Sequence, residues 1–392
     1  MIASTNRNEQ YLIVALIIAI SIFNPFIGIC LFCTLKKSPG ALLVALLLLI
    51  VTSKTRIGYF GDDIQYYLKA FNQLGTNNNI FQVGRVYLNS IDSTFLGLSW
   101  LLKHIVISNR LVYIFIVLIS LLLIIWVYKK IDSQNYGIML LVLITANSFM
   151  YSFGNTIRQG LASAFLLVSI YYFYKEEKAK GWFFITLMLT SHFTSVLFLP
   201  FVFLRKRKLN VFYFFILAFM LLGLTKIPLK FISLASNYTP NYLKLKVEAY
   251  ISIINNSEVN IGFDFFKILV VVAVILLMNK KNRINKISMM FCKAFLYIAS
   301  LQMIFIANQI LYNRLSLYRI VFEGVAISTL VIGTKNKPLI KAFIFISCLM
   351  ICAFYWYKSI SYVVYSGEAS WFTMTIQDYI QYQKKLFDLP IL

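Results

Sequence analysis

The stretch GWFFITLMLTSHFTSVLFLPFVFL, residues 181–204, decides how this chain is laid out. It carries no charge and is long enough for one membrane-crossing helix, which needs about 20 apolar residues. Ser191 and His192 interrupt it near its middle, and Pro200 follows. Two short limbs meeting at His192 fit this pattern as well as one continuous helix does. A broken helix is tolerated at membrane depth where its backbone is buried in protein or lines a wet cavity.

The charges on either side choose between the two. The 392 residues are 60% hydrophobic and 13% charged, with a mean hydropathy of +0.77. Soluble domains carry roughly 25% charged residues, so this chain cannot cover a water-facing surface. That excludes a cytosolic enzyme, a disordered tail and a secreted disulfide scaffold. Lys and Arg outnumber Asp and Glu by 37 to 14, a formal charge of +23. In a chain this apolar, the excess reads as loop lysines that set topology rather than as a nucleic-acid footprint. Basic clusters lie at residues 36–37, 129–130, 175–180, 205–208, 280–286 and 335–341. All six share one side only if 181–204 enters and returns as a re-entrant hairpin, and if 94–102 dips in without crossing.

The expected architecture is therefore all-α: a polytopic integral membrane protein forming one domain over residues 1–392. About 10 spans are expected from the usual span length, over 11–35, 41–52, 111–128, 135–150, 159–174, 211–224, 263–278, 288–311, 315–333 and 339–357. The first is read as a span kinked at Asn24-Pro25, not as a cleaved leader, because it is long and followed by lysines. Two long outer loops remain, 53–93 and 225–262. Loops longer than about 12–15 residues usually have a purpose, which places function on the outer face. Cys30 and Cys33 have CxxC spacing in an apolar run with no second pair or nearby histidine, so the cysteines read as small apolar residues. No internal repeat is visible, which argues against an inverted-repeat transporter, and no Walker motif or GxGxxG fingerprint is present, which argues against transport driven by nucleotide.

Four constellations carry chemistry. Asn155-Thr156-Ile157-Arg158-Gln159-Gly160-Leu161-Ala162 places an arginine at the start of an apolar span, where charge is costly and marks function. Gly160, Ala162, Ser163 and Ala164 keep that helix slim. Arg158 and Gln159 suit phosphate oxygens and sugar hydroxyls; the plainer role for Arg158 is to cap the membrane edge. His192 stands among Ser191, Thr194 and Ser195 and could take a proton from an acceptor hydroxyl or donate to a phosphate. It could also be a core histidine satisfied by Ser191 or Thr194. Gly58-Tyr59-Phe60-Gly61-Asp62-Asp63-Ile64-Gln65-Tyr66-Tyr67 places two acids and three tyrosines in the first outer loop. Asp62 or Asp63 could act as base, pair with an arginine, or remain solvated. No third hard ligand is close enough to suggest a metal. Tyr312-Asn313-Arg314-Leu315-Ser316-Leu317-Tyr318-Arg319 puts Arg314 and Tyr318 on one helix face. Arg319 is offset from that face but near enough to approach the same cavity from the side; its plainer role is an intrahelical pair with Glu323, one turn on. Arg56, Arg85 and Arg110 are the other arginines on the outer side or within spans, whereas the cytoplasmic loops are mostly lysine; arginine's planar fork suits phosphate.

In this order the four pieces resemble the EpsG/Wzy group of bacterial polysaccharide polymerases. The matching pattern is an acidic-tyrosine outer segment (Asp62, Asp63, Tyr66), an Arg-Gln span start (Arg158, Gln159, Ala162), a histidine with hydroxyls and a proline exit (His192, Ser195, Pro200), and an Arg/Tyr helix (Arg314, Tyr318). The resemblance runs from the first outer loop to the tenth span. It implies a multi-pass protein of the bacterial cytoplasmic membrane. The implied reaction moves a growing glycan from undecaprenyl pyrophosphate to the non-reducing end of a lipid-linked repeat unit at the outer face. It implies no cofactor and no nucleic acid. The implied partners are the lipid-linked donor and acceptor and membrane lipid, with a chain-length regulator and a flippase of the same O-antigen, capsule or exopolysaccharide pathway. On this reading Arg158, Arg314 and Arg319 hold the pyrophosphate. His192 is the first choice as base and Asp62 or Asp63 the second. Gln159, Tyr66, Tyr318 and Arg85 bind substrate. A flippase of lipid-linked oligosaccharide and a membrane acyltransferase are the rival readings.

Overall fold

The computed structural model describes residues 7–35, 40–53, 63–75, 79–236, 262–332, 338–348 and 350–351. Among them every regular element is helical. In chain order these are α1 (Arg7–Phe23), α2 (Pro25–Thr34), α3 (Gly40–Ser53), α4 (Asp63–Leu74), α5 (Ile80–Leu88), α6 (Ser93–Ile105), α7 (Asn109–Ile131), α8 (Tyr136–Ile144) and α9 (Asn147–Gly154). There follow α10 (Ile157–Tyr174), α11 (Lys178–Ser191), a 3-10 segment (Phe193–Phe198), α12 (Leu199–Leu204), α13 (Leu209–Leu224) and α14 (Ile227–Ser236). Then come α15 (Phe263–Lys280), α16 (Lys286–Ile304), α17 (Gln309–Ile332) and α18 (Pro338–Cys348).

Apolar side chains cover both faces of the peripheral helices. On α13, Phe212 and Ile216 are buried while Phe214, Leu217 and Leu221 are exposed. On α15, Ile268, Val271 and Ile275 face the core and Phe266, Val270 and Leu277 face outward. A helix apolar all round needs lipid or protein on every side. The exposed stripes are where acyl chains fit.

Among the described residues, two helices are long and apolar enough to cross a bilayer alone: α7, with 23 residues and a mean hydropathy of 2.9, and α16, with 19 residues and 1.6. The other described helices are shorter or less apolar, so the described residues do not by themselves display ten uninterrupted spans. The expected span 11–35 folds sharply at Asn24. Pro25 occupies the first turn of α2, and Asn24 caps that helix by accepting from Ile27 N–H at 3.0 Å. Gly28 then lies directly against Ser21, so α2 starts as a new helix. The 135–150 segment likewise divides at Thr145-Ala146 into α8 and α9. The supposed outer loop 53–93 holds α4 and α5, and 225–262 begins with α14; residues 54–62 and 76–78 of the first and 237–261 of the second lie outside the described residues.

The 181–204 stretch turns back on itself. α11 ends at Ser191, and His192 is extended (φ −160°, ψ 126°). The 3-10 segment and α12 then return to the starting level. There Trp182 meets Phe203 with ring centroids 6.0 Å apart, and the Arg205 guanidinium lies over the Phe173 ring at 4.3 Å. Lys293 Nζ, near the start of α16, donates to Arg205 O at 3.2 Å, which ties the basic 280–286 turn to the same end. At the opposite end, Tyr113 OH on α7 donates to Gly154 O at 2.9 Å, just before α10. The molecule thus has a lysine end and, across the bundle, an end where Arg158 and His192 emerge.

Candidate active site

The site is assembled from three helix starts and the tip of the hairpin. On α4, the spacing of Ile64, Tyr67, Phe71 and Leu74 makes one buried face, so Tyr67 points inward and Tyr66 outward. The first turn of α4 is pinned by Asp63 N–H, which donates to Asn155 Oδ1 at 2.9 Å. Asn155 lies two residues before α10, so two segments far apart in sequence meet there. α10 packs tightly against α9: a Cβ added at Gly160 would stand 2.6 Å from Ser152 O.

Arg158, in the first turn of α10, is almost wholly engaged. Its Nη1 meets Asp92 Oδ2 at 2.7 Å, its Nε donates to Tyr67 OH at 3.3 Å, and its guanidinium carbon lies 5.4 Å from the centre of the Tyr67 ring. Asp92 is buried and occupies the N-cap position of α6, yet makes no side-chain cap bond to its own helix. Its carboxylate goes to Arg158 instead. Burial holds the Tyr67 phenol above its ordinary pKa, opposed by Arg158. Tyr67 therefore stays a neutral hydroxyl that accepts from the guanidinium.

The hairpin tip supplies the second half. Thr194 N–H donates to His192 Nδ1 at 3.3 Å, and Thr194 Oγ1 lies 2.8 Å from the same nitrogen. Tyr318 OH, from α17, stands 3.4 Å from His192 Nδ1 and 3.3 Å from Thr194 Oγ1. Gln159 Nε2 donates to Thr194 Oγ1 at 3.4 Å, and Gln159 Oε1 accepts from Arg314 Nη1 at 3.2 Å. Arg314 Nη1 also lies 3.7 Å from Asp63 Oδ2. One chain of polar contacts thus runs from Asp63 through Arg314, Gln159 and Thr194 to His192 and Tyr318. A backbone N–H aimed at Nδ1 requires a lone pair there, so the neutral ring carries its proton on Nε2. In that tautomer Nε2 is a donor.

Of the residues singled out from sequence, the structure brings together Asp63, Arg158, Gln159, His192, Arg314 and Tyr318. It leaves others apart. Arg319 is fully buried on a different face of α17, where it donates to Gln302 Oε1 at 2.8 Å and pairs with Glu323 and Asp264. Lys267 completes that cluster by pairing with Glu323. Arg85 lies exposed on α5, and Tyr66 is 55% exposed. Asp62 falls outside the described residues. Sequence reasoning missed Asp92 and chose Tyr66 over Tyr67; the apolar spacing of α4 was the signal that identifies Tyr67. Among the described residues no group of three His, Cys, Asp or Glu could hold a metal ion. Cys30, Cys33, Cys292 and Cys348 are buried free thiols.

Chemically, the cluster offers a guanidinium and an amide for phosphate or sugar oxygens, an imidazole donor, and a partly exposed carboxylate. Searches of curated proteins and of solved structures find no match. A family model, the EpsG family, matches residues 41–374. The match takes in every residue of the cluster, from Asp63 to Tyr318, together with the hairpin that carries His192. The chain belongs to the EpsG family and is a membrane protein of polysaccharide biosynthesis.

Proposed function

We propose that this protein is a polysaccharide polymerase. It transfers a growing glycan from undecaprenyl pyrophosphate to the non-reducing end of a lipid-linked repeat unit, at the outer face of the cytoplasmic membrane. One observation carries the reading: Asp63, Arg158, Gln159, His192, Arg314 and Tyr318 converge at the end of the bundle opposite the lysine-rich turns. Under the rule that short lysine-rich loops stay cytoplasmic, that end faces outward.

The reaction needs a group that accepts the acceptor hydroxyl's proton and groups that take up charge on the departing diphosphate. Preorganised donors aimed at developing charge are the largest usual contribution to such catalysis. Arg314 and His192 Nε2–H fill that role here. The tautomer set by Thr194 makes His192 a donor toward the leaving group, and the base role passes to Asp63. Its carboxylate takes the proton as the acceptor oxygen bonds to the anomeric carbon. The bond from that carbon to the diphosphate oxygen breaks, and the diphosphate leaves with both electrons. Gln159 and Tyr318 orient sugar hydroxyls. Arg158, bound by Asp92 and Tyr67, holds the start of α10 in place.

The test is reconstitution. Purified protein in liposomes receives lipid-linked repeat units, and the glycans are resolved by size. A ladder that wild type makes and Arg314→Ala does not is the expected result. If wild type leaves only single repeats but moves them across the bilayer, the polymerase reading fails and a flippase replaces it.

A further inference from the structure

The two arginines of the site are held in different ways. Arg158 meets Asp92 at 2.7 Å, and their side chains are only 13% and 7% exposed. Arg314 stands 3.7 Å from Asp63, and those side chains are 23% and 25% exposed. The first is a closed, buried pair in which a second contact, from Tyr67, fixes the guanidinium plane. The second is longer than a direct hydrogen bond and reachable from outside. A partly exposed pair of this kind is worth little, about 0–1 kcal/mol. A diphosphate, with more charge and a geometry matched to the guanidinium fork, competes well against it.

The geometry points to an exchange: a diphosphate arriving at Arg314 displaces Asp63, and the released carboxylate becomes the base for the acceptor hydroxyl. This rests on the polymerase reading and gives it an order, donor before acceptor. With no diphosphate bound, the Asp63 carboxylate faces the Arg314 guanidinium, 3.7 Å away, rather than an acceptor hydroxyl. When the diphosphate takes the guanidinium, Asp63 loses its counter-charge. Asp63 does not drift away, because its backbone N–H is anchored on Asn155. Arg158 does not take part in the exchange, since opening its pair would leave Asp92 buried and uncompensated. The same bond changes follow as above: the proton moves to Asp63, the acceptor oxygen joins the anomeric carbon, and the diphosphate departs toward Arg314.

The test compares Asp63→Asn and Asp63→Glu with wild type, all full length in lipid nanodiscs. Binding of inorganic pyrophosphate and of undecaprenyl pyrophosphate is measured by titration. Asparagine removes the competing charge, so both probes should bind about 2- to 5-fold more tightly, while ladder formation is lost. Glutamate is longer by one methylene and closes the gap to Arg314, so binding should weaken. A gain in the asparagine variant with the lipid probe alone keeps the exchange and assigns recognition to the lipid-linked form. Unchanged binding in both variants, with unfolding midpoints like wild type, overturns the exchange. A normal ladder from Asp63→Asn overturns the base role. If wild type polymerises in the reconstituted assay while these variants bind like it, the exchange alone is wrong and the polymerase reading stands.

Discussion

Replacing Asp92 with alanine should cost more stability than replacing it together with its partner. Asp92 and Arg158 form a pair at 2.7 Å with side chains 7% and 13% exposed, and Arg158 has Tyr67 as its other neighbour in the pair. Removing one member of such a pair leaves an uncompensated buried charge, at about 3–5 kcal/mol. The Tyr67 face and hydroxyl still meet the guanidinium and offset about 0.5–2 kcal/mol of that. Asp92→Ala should therefore destabilise by about 2–4 kcal/mol after that offset. In Asp92→Ala/Arg158→Met both charges are gone and an apolar side chain of similar length fills the space. Such exchanges are often close to neutral. Arg158→Met alone leaves Asp92 buried without its partner, at about 3–5 kcal/mol, so with the double variant near neutral the cycle should show a coupling of about 4 kcal/mol or more, well above the roughly 0.5 kcal/mol scatter of independent sites. Reversible unfolding by sodium dodecyl sulfate in mixed micelles measures all four proteins. Additive effects of the two substitutions would refute the buried pair, because additivity means that neither charge depends on the other.

Three further outcomes follow from the geometry. His192→Gln, which can place an amide N–H near the Nε2 position, should keep more ladder formation than His192→Asn, which can only mimic Nδ1; the reverse order would contradict the donor role. Gly160→Leu should destabilise by about 1–3 kcal/mol or more, since a Cβ there stands 2.6 Å from Ser152 O, and folded protein recovered from membranes reports it. Arg319→Met leaves Lys267 as the remaining described cation beside Asp264 and Glu323, so stability should fall by about 3–5 kcal/mol, as for a broken buried pair, and folded yield with it, yet diphosphate affinity of the folded fraction should be unchanged. Lost affinity there would return Arg319 to the substrate site.

Much of the fold was legible because lipid makes strong demands. The apolar content, the basic turns and the polar interruption at Ser191-His192 could be read without coordinates, and the chain does turn back at His192. The kink at Asn24-Pro25 was legible as well, and there the chain starts a new helix; the break at Thr145 was harder, because the segment around it is as apolar as an uninterrupted span. On α17 the Arg319–Glu323 pair expected from the spacing is present, but the sequence also let Arg319 reach the cavity of Arg314 and Tyr318, and packing against Gln302 and Asp264 holds it elsewhere. Asp92 was invisible for a different reason. An acid just before a helix reads as an ordinary N-cap, and nothing local says that its carboxylate is used by an arginine 66 residues away. Thr194 was legible as a partner for His192, but its contacts with Gln159 and Tyr318 depend on packing between α10, α17 and the hairpin.

The central claim is that the Asp63–Arg314–Gln159–His192 cluster performs glycan polymerisation. The most direct measurement deletes the gene in its host and profiles the undecaprenyl-linked and surface glycans, with wild-type and Arg314→Ala copies restored in turn. Single repeat units should accumulate, the long-chain ladder should be lost, and only the wild-type copy should restore it. An unchanged ladder in the deletion strain, or full rescue by Arg314→Ala, would contradict that claim.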